Sequence, residues 1–267
     1  MNIGAIIAVI GALIVGGFTG SAITRNDSEE IRGQGNGRGQ EQVVKVDDSV
    51  PESIDFVSAR PEIAALPAEE LSVLEIEGIE FMREEEKLAR DVYITLYEKW
   101  GLRIFSNIAQ SEQTHTEAVR DLLEKYDMAD PVSDDAIGVF TNDTIQGLYD
   151  SLVEQGSVSE LEALKVGAMI EDLDIFDLQR YQIGVDNADI MLVYENLERG
   201  SRNHLRAFIS QIESRGGTYE AQYLTQNAVN EIKDSERERG DNDGMGGQKG
   251  SGSGQGKVGD GRGWGGR

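Results

Sequence analysis

The sequence has 267 residues, a formal net charge of −24 and no cysteine. Because it has no thiol, the chain cannot form disulfides, zinc–thiolate sites or iron–sulfur clusters, and it has no cysteine nucleophile. A chain this acidic would repel a polyanion, so nucleic acid is excluded as an expected partner.

The N-terminal segment is apolar. Ile3 to Phe18 carries no charged residue, and at about 16 residues this run is shorter than the roughly 20 that a membrane-spanning helix needs. We therefore interpret residues 1–24 as a signal peptide or an N-terminal membrane anchor. No Lys or Arg precedes the run, so cleavage and anchoring both stay open. Either alternative predicts an extracytoplasmic protein, secreted or attached to the membrane through this segment if it is uncleaved.

Two further segments lack the periodicity of a folded core. Residues 25–67 are polar and are expected to form a disordered linker. Residues 226–267 are expected to form a charged and then Gly-rich disordered tail, in which a solvated helix over Gln226 to Arg239 is one option. The folded domain is therefore predicted to span residues 68–225.

Residues 68–225 show apolar residues at helical spacing and no convincing alternating strand. Gly and Pro residues separate the periodic stretches. The predicted helices cover Leu71 to Trp100, Ile104 to Tyr126, a short segment from Thr144 to Glu154, Val158 to Tyr181, and Ala188 to Arg215. Four long amphipathic helices with short connections predict an all-α fold, an antiparallel four-helix bundle.

The two histidines of the chain both fall on predicted buried faces. Glu112 and His115 lie one turn apart on the apolar stripe of the second helix. His204 lies in the middle of the apolar stripe of the last helix. An ionisable group on a buried face needs a partner, since burying even a neutral polar group alone costs roughly 2–7 kcal/mol.

Carboxylates also occupy the buried faces of other helices. The predicted inward-facing carboxylates of the first and third long helices are Glu86, Glu171 and Asp174. Glu85 lies on a flanking line and competes with Glu86 for the role of the inward carboxylate. Tyr93 lies one or two turns from Glu86, as a neighbour of the centre or a packing residue. The candidates for additional metal ligands, or for residues that contact the ligands, are Glu85, Tyr93, Asp174, Glu198 and Ser201. The acidic neighbours expected to face solvent are Glu84, Glu162 and Asp172.

A metal ion would satisfy these groups together. Glu-x-x-His, combined with single Glu residues from other helices, is the ligand pattern of di-iron helix bundles. A mixed carboxylate and imidazole set suits iron or manganese, with zinc as a competitor. Two bridged irons could reduce oxygen or peroxide while oxidising iron. A structural polar core satisfied by hydrogen bonds is the alternative.

Three stretches carry a resemblance to a known family. MREEEKLARDVY, FSNIAQSEQTHTEAV and GSRNHLRAF resemble rubrerythrin-like members of the ferritin-like superfamily, and are most similar to an uncharacterised prokaryotic ferritin-like family known only as a domain of unknown function. The resemblance covers about Leu71 to Tyr223 and implies an antiparallel four-helix bundle with a carboxylate-bridged dimetal centre. The metal ligands that it implies are Glu86, Glu112, His115, Glu171 and His204.

One position departs from the family pattern. Ser201 stands three residues before His204, where a second Glu-x-x-His would have its carboxylate. Asp174 or Glu198 would have to compensate, unless the site holds a single metal or stays open to an external ligand.

These observations lead to competing functional hypotheses. The first is an exported or anchored ferritin-like metalloprotein with a di-iron-type centre and ferroxidase or peroxide- or oxygen-reducing activity. The alternative is a non-enzymatic surface or envelope bundle with a degenerate or structural metal site. A third hypothesis is that the protein is a metal sensor or scavenger. The substrate, the electron donor and the oligomeric state stay open, and a homo-oligomer is one option.

Overall fold

A computed structural model describes residues 61–238. Over this range the chain is all-helical and contains no strand, which confirms the predicted all-α class. A short helical segment at residues 61–65 precedes six helices. Their bounds are α1 Val73–Trp100, α2 Arg103–Lys125, α3 Asp143–Gly156, α4 Glu160–Gln182, α5 Ala188–Ser214 and α6 Gln226–Asp234.

Side-chain caps fix where several helices begin. Ser72 and Glu75 form a capping box at the start of α1, in which each side chain satisfies a backbone N–H of the first turn. The side-chain oxygens of Asn142 and Ser159 cap α3 and α4 by accepting hydrogen bonds from backbone N–H groups of the first turn. Gly101 ends α1 in the left-handed region, at φ 68°, and its N–H bonds to the carbonyl of Tyr97. The connection between α1 and α2 is therefore short.

The four long helices share one core. α1 lies along α2, α4 lies along α5, and further contacts join α1 with α4 and α2 with α5. Tyr93, Phe105 and Phe208 bring three aromatic rings together in this core, with centroids 5.4–6.1 Å apart. Burying each such side chain contributes about 1.5–3 kcal/mol. Gly167 allows the ring of Phe208 to approach α4, because a Cβ at position 167 would lie 2.4 Å from that ring.

The packed region extends beyond residues 68–225 at both ends. Ile63 is buried, and the ammonium of Lys125 donates to the backbone carbonyls of Ile63 and Leu66. At the other end, α6 packs against α5 through the buried Val229. Each segment contributes a single buried apolar residue, which is too little to produce a periodic signal in the sequence.

The predicted N-terminal signal or anchor, the linker up to residue 60, and the Gly-rich tail after residue 238 lie outside the described residues. Within residues 61–238, none of the helices has the length and apolar character required to cross a membrane.

Candidate metal centre

Five ionisable side chains from α1, α2, α4 and α5 meet in the interior. Each of them is at most 3% exposed, so the site is closed to bulk solvent. They fall into two groups of three, in each of which one ligand atom per residue lies within 4.8 Å of the others. The first group is Glu86, Glu112 and His115, and the second is Glu112, Glu171 and His204.

Glu112 belongs to both groups and lies between the two imidazoles. Its Oε2 is 2.7 Å from Nδ1 of His115, and its Oε1 is 2.8 Å from Nδ1 of His204. Glu86 approaches the first imidazole, with its Oε2 3.3 Å from Nδ1 of His115. Glu171 approaches the second, with its Oε2 3.4 Å from Nδ1 of His204. The centre is thus nearly symmetric about Glu112.

Many donor atoms of this cluster lack a hydrogen bond from any residue in the range 61–238. They include both oxygens of Glu86, Oε1 of Glu112, Oε2 of Glu171 and Nδ1 of His204. The contact between His204 and Glu112 has the distance of an ion pair but not the alignment of a hydrogen bond. Leaving a buried polar group without a partner costs about 1–3 kcal/mol, and more for a charged one. Three carboxylates and two imidazoles, with orphaned atoms facing one another, fit a metal site.

Electrostatics couples these groups. Burial alone would raise the pKa of Glu112, but the two imidazoles outweigh it and hold that pKa well below its usual range. Burial raises the pKa of Glu86 to about 8 and also raises that of Glu171. Burial alone would lower the pKa of each histidine, but the neighbouring carboxylates outweigh this effect. Glu112 and Glu86 raise the pKa of His115 well above its usual value. Glu171 and Glu112 raise the pKa of His204 to about 9. Without a metal the cluster therefore retains protons near neutral pH, which metal binding would displace.

Neighbouring residues position the donors. Oγ of Ser111 lies 3.1 Å from Nε2 of His204, a contact that leaves Nδ1 of this ring facing the centre. The phenol of Tyr93 donates a hydrogen bond of 2.7 Å to Oε1 of Glu171. Gly200 makes room for His115, because a Cβ at position 200 would lie 2.6 Å from Cε1 of its ring. Sequence reasoning did not identify Ser111 or Gly200.

The remaining candidates divide between the centre and the periphery. Asp174 and Glu85 are buried close to Glu86 and Glu171, and neither carboxyl group accepts a hydrogen bond from the backbone or from a basic side chain in the described part of the chain. Ser201 instead donates to the carbonyl of Leu197 in its own helix. The carboxylate of Glu198 forms an ion pair with Arg202 and accepts from two glutamine side chains of α4. The partners of Glu198 therefore do not belong to the five-residue cluster.

Two of the acidic residues expected to face solvent are buried, so that prediction is wrong for them. Asp172 is 0% exposed, and its carboxylate accepts hydrogen bonds from the backbone N–H groups of Gln222 and Leu224. The segment after α5 folds back over this face of α4, which helical periodicity alone cannot reveal. Glu84 is 9% exposed and lies near Asp130 of the connection after α2.

Comparison with known proteins places the chain in a family. The curated "Uncharacterized protein MJ0754" of Methanocaldococcus jannaschii is 56% identical over 180 residues, which cover 67% of this chain and 97% of that protein. A crystal structure of hypothetical protein MJ0754 from Methanococcus jannaschii matches with a TM-score of 0.64, at 56% identity, and covers 65% of this chain and 99% of that one. Residues 75–236 match the family described as "Uncharacterized protein domain (DUF2202)". This confirms the expected match to a domain of unknown function, and the chain belongs to the DUF2202 family.

Proposed function

We propose that the chain is a ferritin-like metalloprotein in which α1, α2, α4 and α5 form an antiparallel four-helix bundle around a centre of two metal ions. The observation that carries this proposal is Glu112, whose two oxygens lie 2.7 Å and 2.8 Å from the Nδ1 atoms of His115 and His204. A shared carboxylate between two imidazoles, with one further carboxylate beside each, matches the ligand types of di-iron bundle proteins.

The donor set divides between two metal ions. Glu86 and His115 would hold one ion, Glu171 and His204 would hold the other, and Glu112 would contact both. Iron is the proposed metal, with manganese or zinc as the competitors that the same donors accept. When bound, the two irons would supply redox chemistry in which ferrous iron is oxidised and oxygen or peroxide is reduced.

The protein's own residues prepare this centre. The surrounding helices exclude bulk water, since the five donors are almost fully buried. Tyr93 holds Glu171 through its hydrogen bond, and Ser111 contacts His204 on the side opposite the centre. Glu86, with a pKa of about 8, retains a proton that it would release when a metal binds.

The cellular setting is a proposal from sequence alone. The apolar run Ile3 to Phe18 supports export, or anchoring to the membrane through residues 1–24. The partners proposed are metal ions and, where the segment is retained, the membrane, whereas the net charge of −24 argues against nucleic acid.

One observation favours a second function, a non-enzymatic envelope or surface protein with a structural metal. Ser201 occupies the position of the missing carboxylate and bonds to its own helix backbone, and Glu198 is occupied by Arg202. The second metal position therefore has one carboxylate fewer than the pattern with two Glu-x-x-His motifs. A centre that lacks this carboxylate could bind metal without catalysing a reaction.

Anaerobic iron binding followed by oxygen exposure tests the proposal. Ferrous iron would be added to the full chain and the bound metal counted, after which oxygen or peroxide is admitted and ferric iron is followed by near-ultraviolet absorbance. We expect about two irons per chain and their oxidation in the wild type and in Ser201→Ala, and neither in Glu112→Ala/His115→Ala. Iron that binds but is not oxidised would favour the structural function. Absence of binding would contradict both functions.

A further inference from the structure

An open groove lies beside the point where the described part of the chain begins. It is formed between the helical segment at residues 61–65 and the C-terminal part of α2. Its volume is about 370 Å³. Because the share of one water molecule in the liquid is about 30 Å³, this groove has room for several side chains.

One wall of the groove is held firmly against the bundle. The ammonium of Lys125 donates hydrogen bonds of 3.1 Å and 2.8 Å to the carbonyls of Ile63 and Leu66. The same Nζ lies 2.6 Å from Oδ2 of Asp189 at the start of α5. Ile63 itself is buried. The groove is therefore a built feature between two fixed elements.

The lining of the groove combines apolar and acidic side chains. Its apolar members are Ile63, Ala64, Ala118 and Leu122. Two exposed carboxylates, Asp121 and Glu124, belong to the same lining. Apolar surface gains from burial against apolar side chains, and the carboxylates attract a basic group. The groove therefore fits a segment that carries apolar side chains next to a basic one.

The residues that directly precede position 61 have this chemistry. Ile54, Phe56 and Val57 are apolar, and Arg60 is basic. Phe56 is the only aromatic residue between positions 19 and 80, and residues 25–42 contain only one large apolar residue, Ile31. Phe56 lies five residues before position 61, and five extended residues span at most about 18 Å. The apolar side chains are therefore tethered within reach of the groove.

We propose that residues 54–60 dock in this groove, with Phe56 and Val57 against its apolar lining and Arg60 beside Asp121 and Glu124. Chain continuity favours this occupant, because residue 60 is joined directly to the segment that forms one wall and so has a high effective concentration there. The inference does not depend on the metal centre. With the proposed anchor at residues 1–24, the free tether would comprise residues 25–53.

Thiol protection in the full chain tests the docking. The chain has no cysteine, so a single introduced thiol reports on the groove alone. Ala64→Cys places this thiol at an exposed position of the lining, and its rate of alkylation by iodoacetamide would be measured with and without Phe56→Ser. Val44→Ser is the matched control, because it removes an apolar side chain farther from the groove. Circular dichroism would verify that each variant is folded.

We expect Phe56→Ser to accelerate alkylation at position 64 about tenfold or more, because burial of an aromatic side chain favours the docked state by at least about that factor. Val44→Ser should leave the rate unchanged. If Phe56→Ser also left the rate unchanged, the groove would not hold this segment and the proposal would be overturned.

Disulfide formation identifies the source of the occupant. The pair Ser58→Cys/Asp121→Cys should form an intrachain disulfide at a rate independent of protein concentration, because the bond requires Cα atoms about 4.4–6.8 Å apart. The control pair is Ser58→Cys/Ile183→Cys, since Ile183 is 87% exposed at the end of α4, and it should react more slowly. Equal rates for the two pairs would overturn the docking. A disulfide between two chains, formed faster at higher concentration, would also overturn it, because the groove would then take the segment of a second copy.

Discussion

A single methyl group at position 200 should disturb the proposed metal centre without changing any of its proposed ligands. Gly200 lies in α5, where a Cβ would be 2.6 Å from Cε1 and 2.7 Å from Nε2 of the His115 ring. Ordinary contacts between carbon atoms are about 3.5–4.0 Å, so the ring of His115 must move by about 1 Å in Gly200→Ala. Its Nδ1, which lies 2.7 Å from Glu112, would move with it.

The magnitude follows from two opposing effects. Replacing Gly by Ala inside a helix stabilises it by about 1 kcal/mol through backbone propensity. Overpacking a core costs about 1–3 kcal/mol, so Gly200→Ala should be neutral or destabilising by up to about 2 kcal/mol. Displacing a residue that orients a metal ligand typically weakens metal affinity by about 10–100-fold, and we expect a loss in this range.

Gly147→Ala is the matched control. Gly147 is exposed in α3, and a Cβ there would meet nothing within 4 Å, so only the gain in propensity should appear. Urea unfolding of the metal-free protein and Co²⁺ titration would be compared for the two variants and the wild type. If Gly200→Ala bound Co²⁺ as tightly as Gly147→Ala and were equally stabilised, the proposed packing of His115 against α5 would be refuted.

Three further predictions concern single side chains. Burial alone would raise the pKa of Glu75, but hydrogen bonds from the backbone of Ser72 and Asn187 lower it from 4.5 to about 2, so its stabilising contribution is present above pH 4.5 and is lost as the pH falls toward 2. Urea unfolding should therefore show Glu75→Gln less stable than the wild type at pH 7, and an equal difference at pH 3 would contradict this. Tyr93→Phe removes the 2.7 Å hydrogen bond to Glu171 and should weaken iron binding about tenfold without changing the number of iron ions bound per chain. A complete loss of iron during dialysis would instead show that Tyr93 is itself a ligand. Asp172→Ala leaves the N–H groups of residues 222–224 without their acceptor and should destabilise the protein by about 2–4 kcal/mol. Limited proteolysis near residue 220 should become faster, and an unchanged rate of cleavage would refute the anchoring role of Asp172.

The helical class and the inward faces could be predicted because both depend on local periodicity. Glu112 and His115 are three residues apart among apolar neighbours, which is enough to place them together on the buried side of a helix. The same reasoning puts His204 on the buried face of α5 and Glu171 on that of α4. Their role as metal ligands stays a prediction, which the observed distances support.

Non-local packing explains what the sequence could not provide. Asp172 lies on a face of α4 that looks solvated until the segment at residues 219–224 covers it. Gly200 matters only because the ring of His115, 85 positions earlier in the chain, approaches its backbone. The sequence was enough to identify Ser201 as a departure from the family pattern, but its hydrogen bond to the carbonyl of Leu197 could be seen only in the structure.

The central claim is that Glu112 is shared by two metal ions, and anomalous diffraction at the iron edge tests it most directly. Crystals of the full chain loaded anaerobically with ferrous iron would be measured on both sides of the absorption edge. The account predicts two anomalous peaks, one between Glu112 and His115 with Glu86 beside it, and one between Glu112 and His204 with Glu171 beside it. A single peak, or peaks that do not contact Glu112, would contradict it.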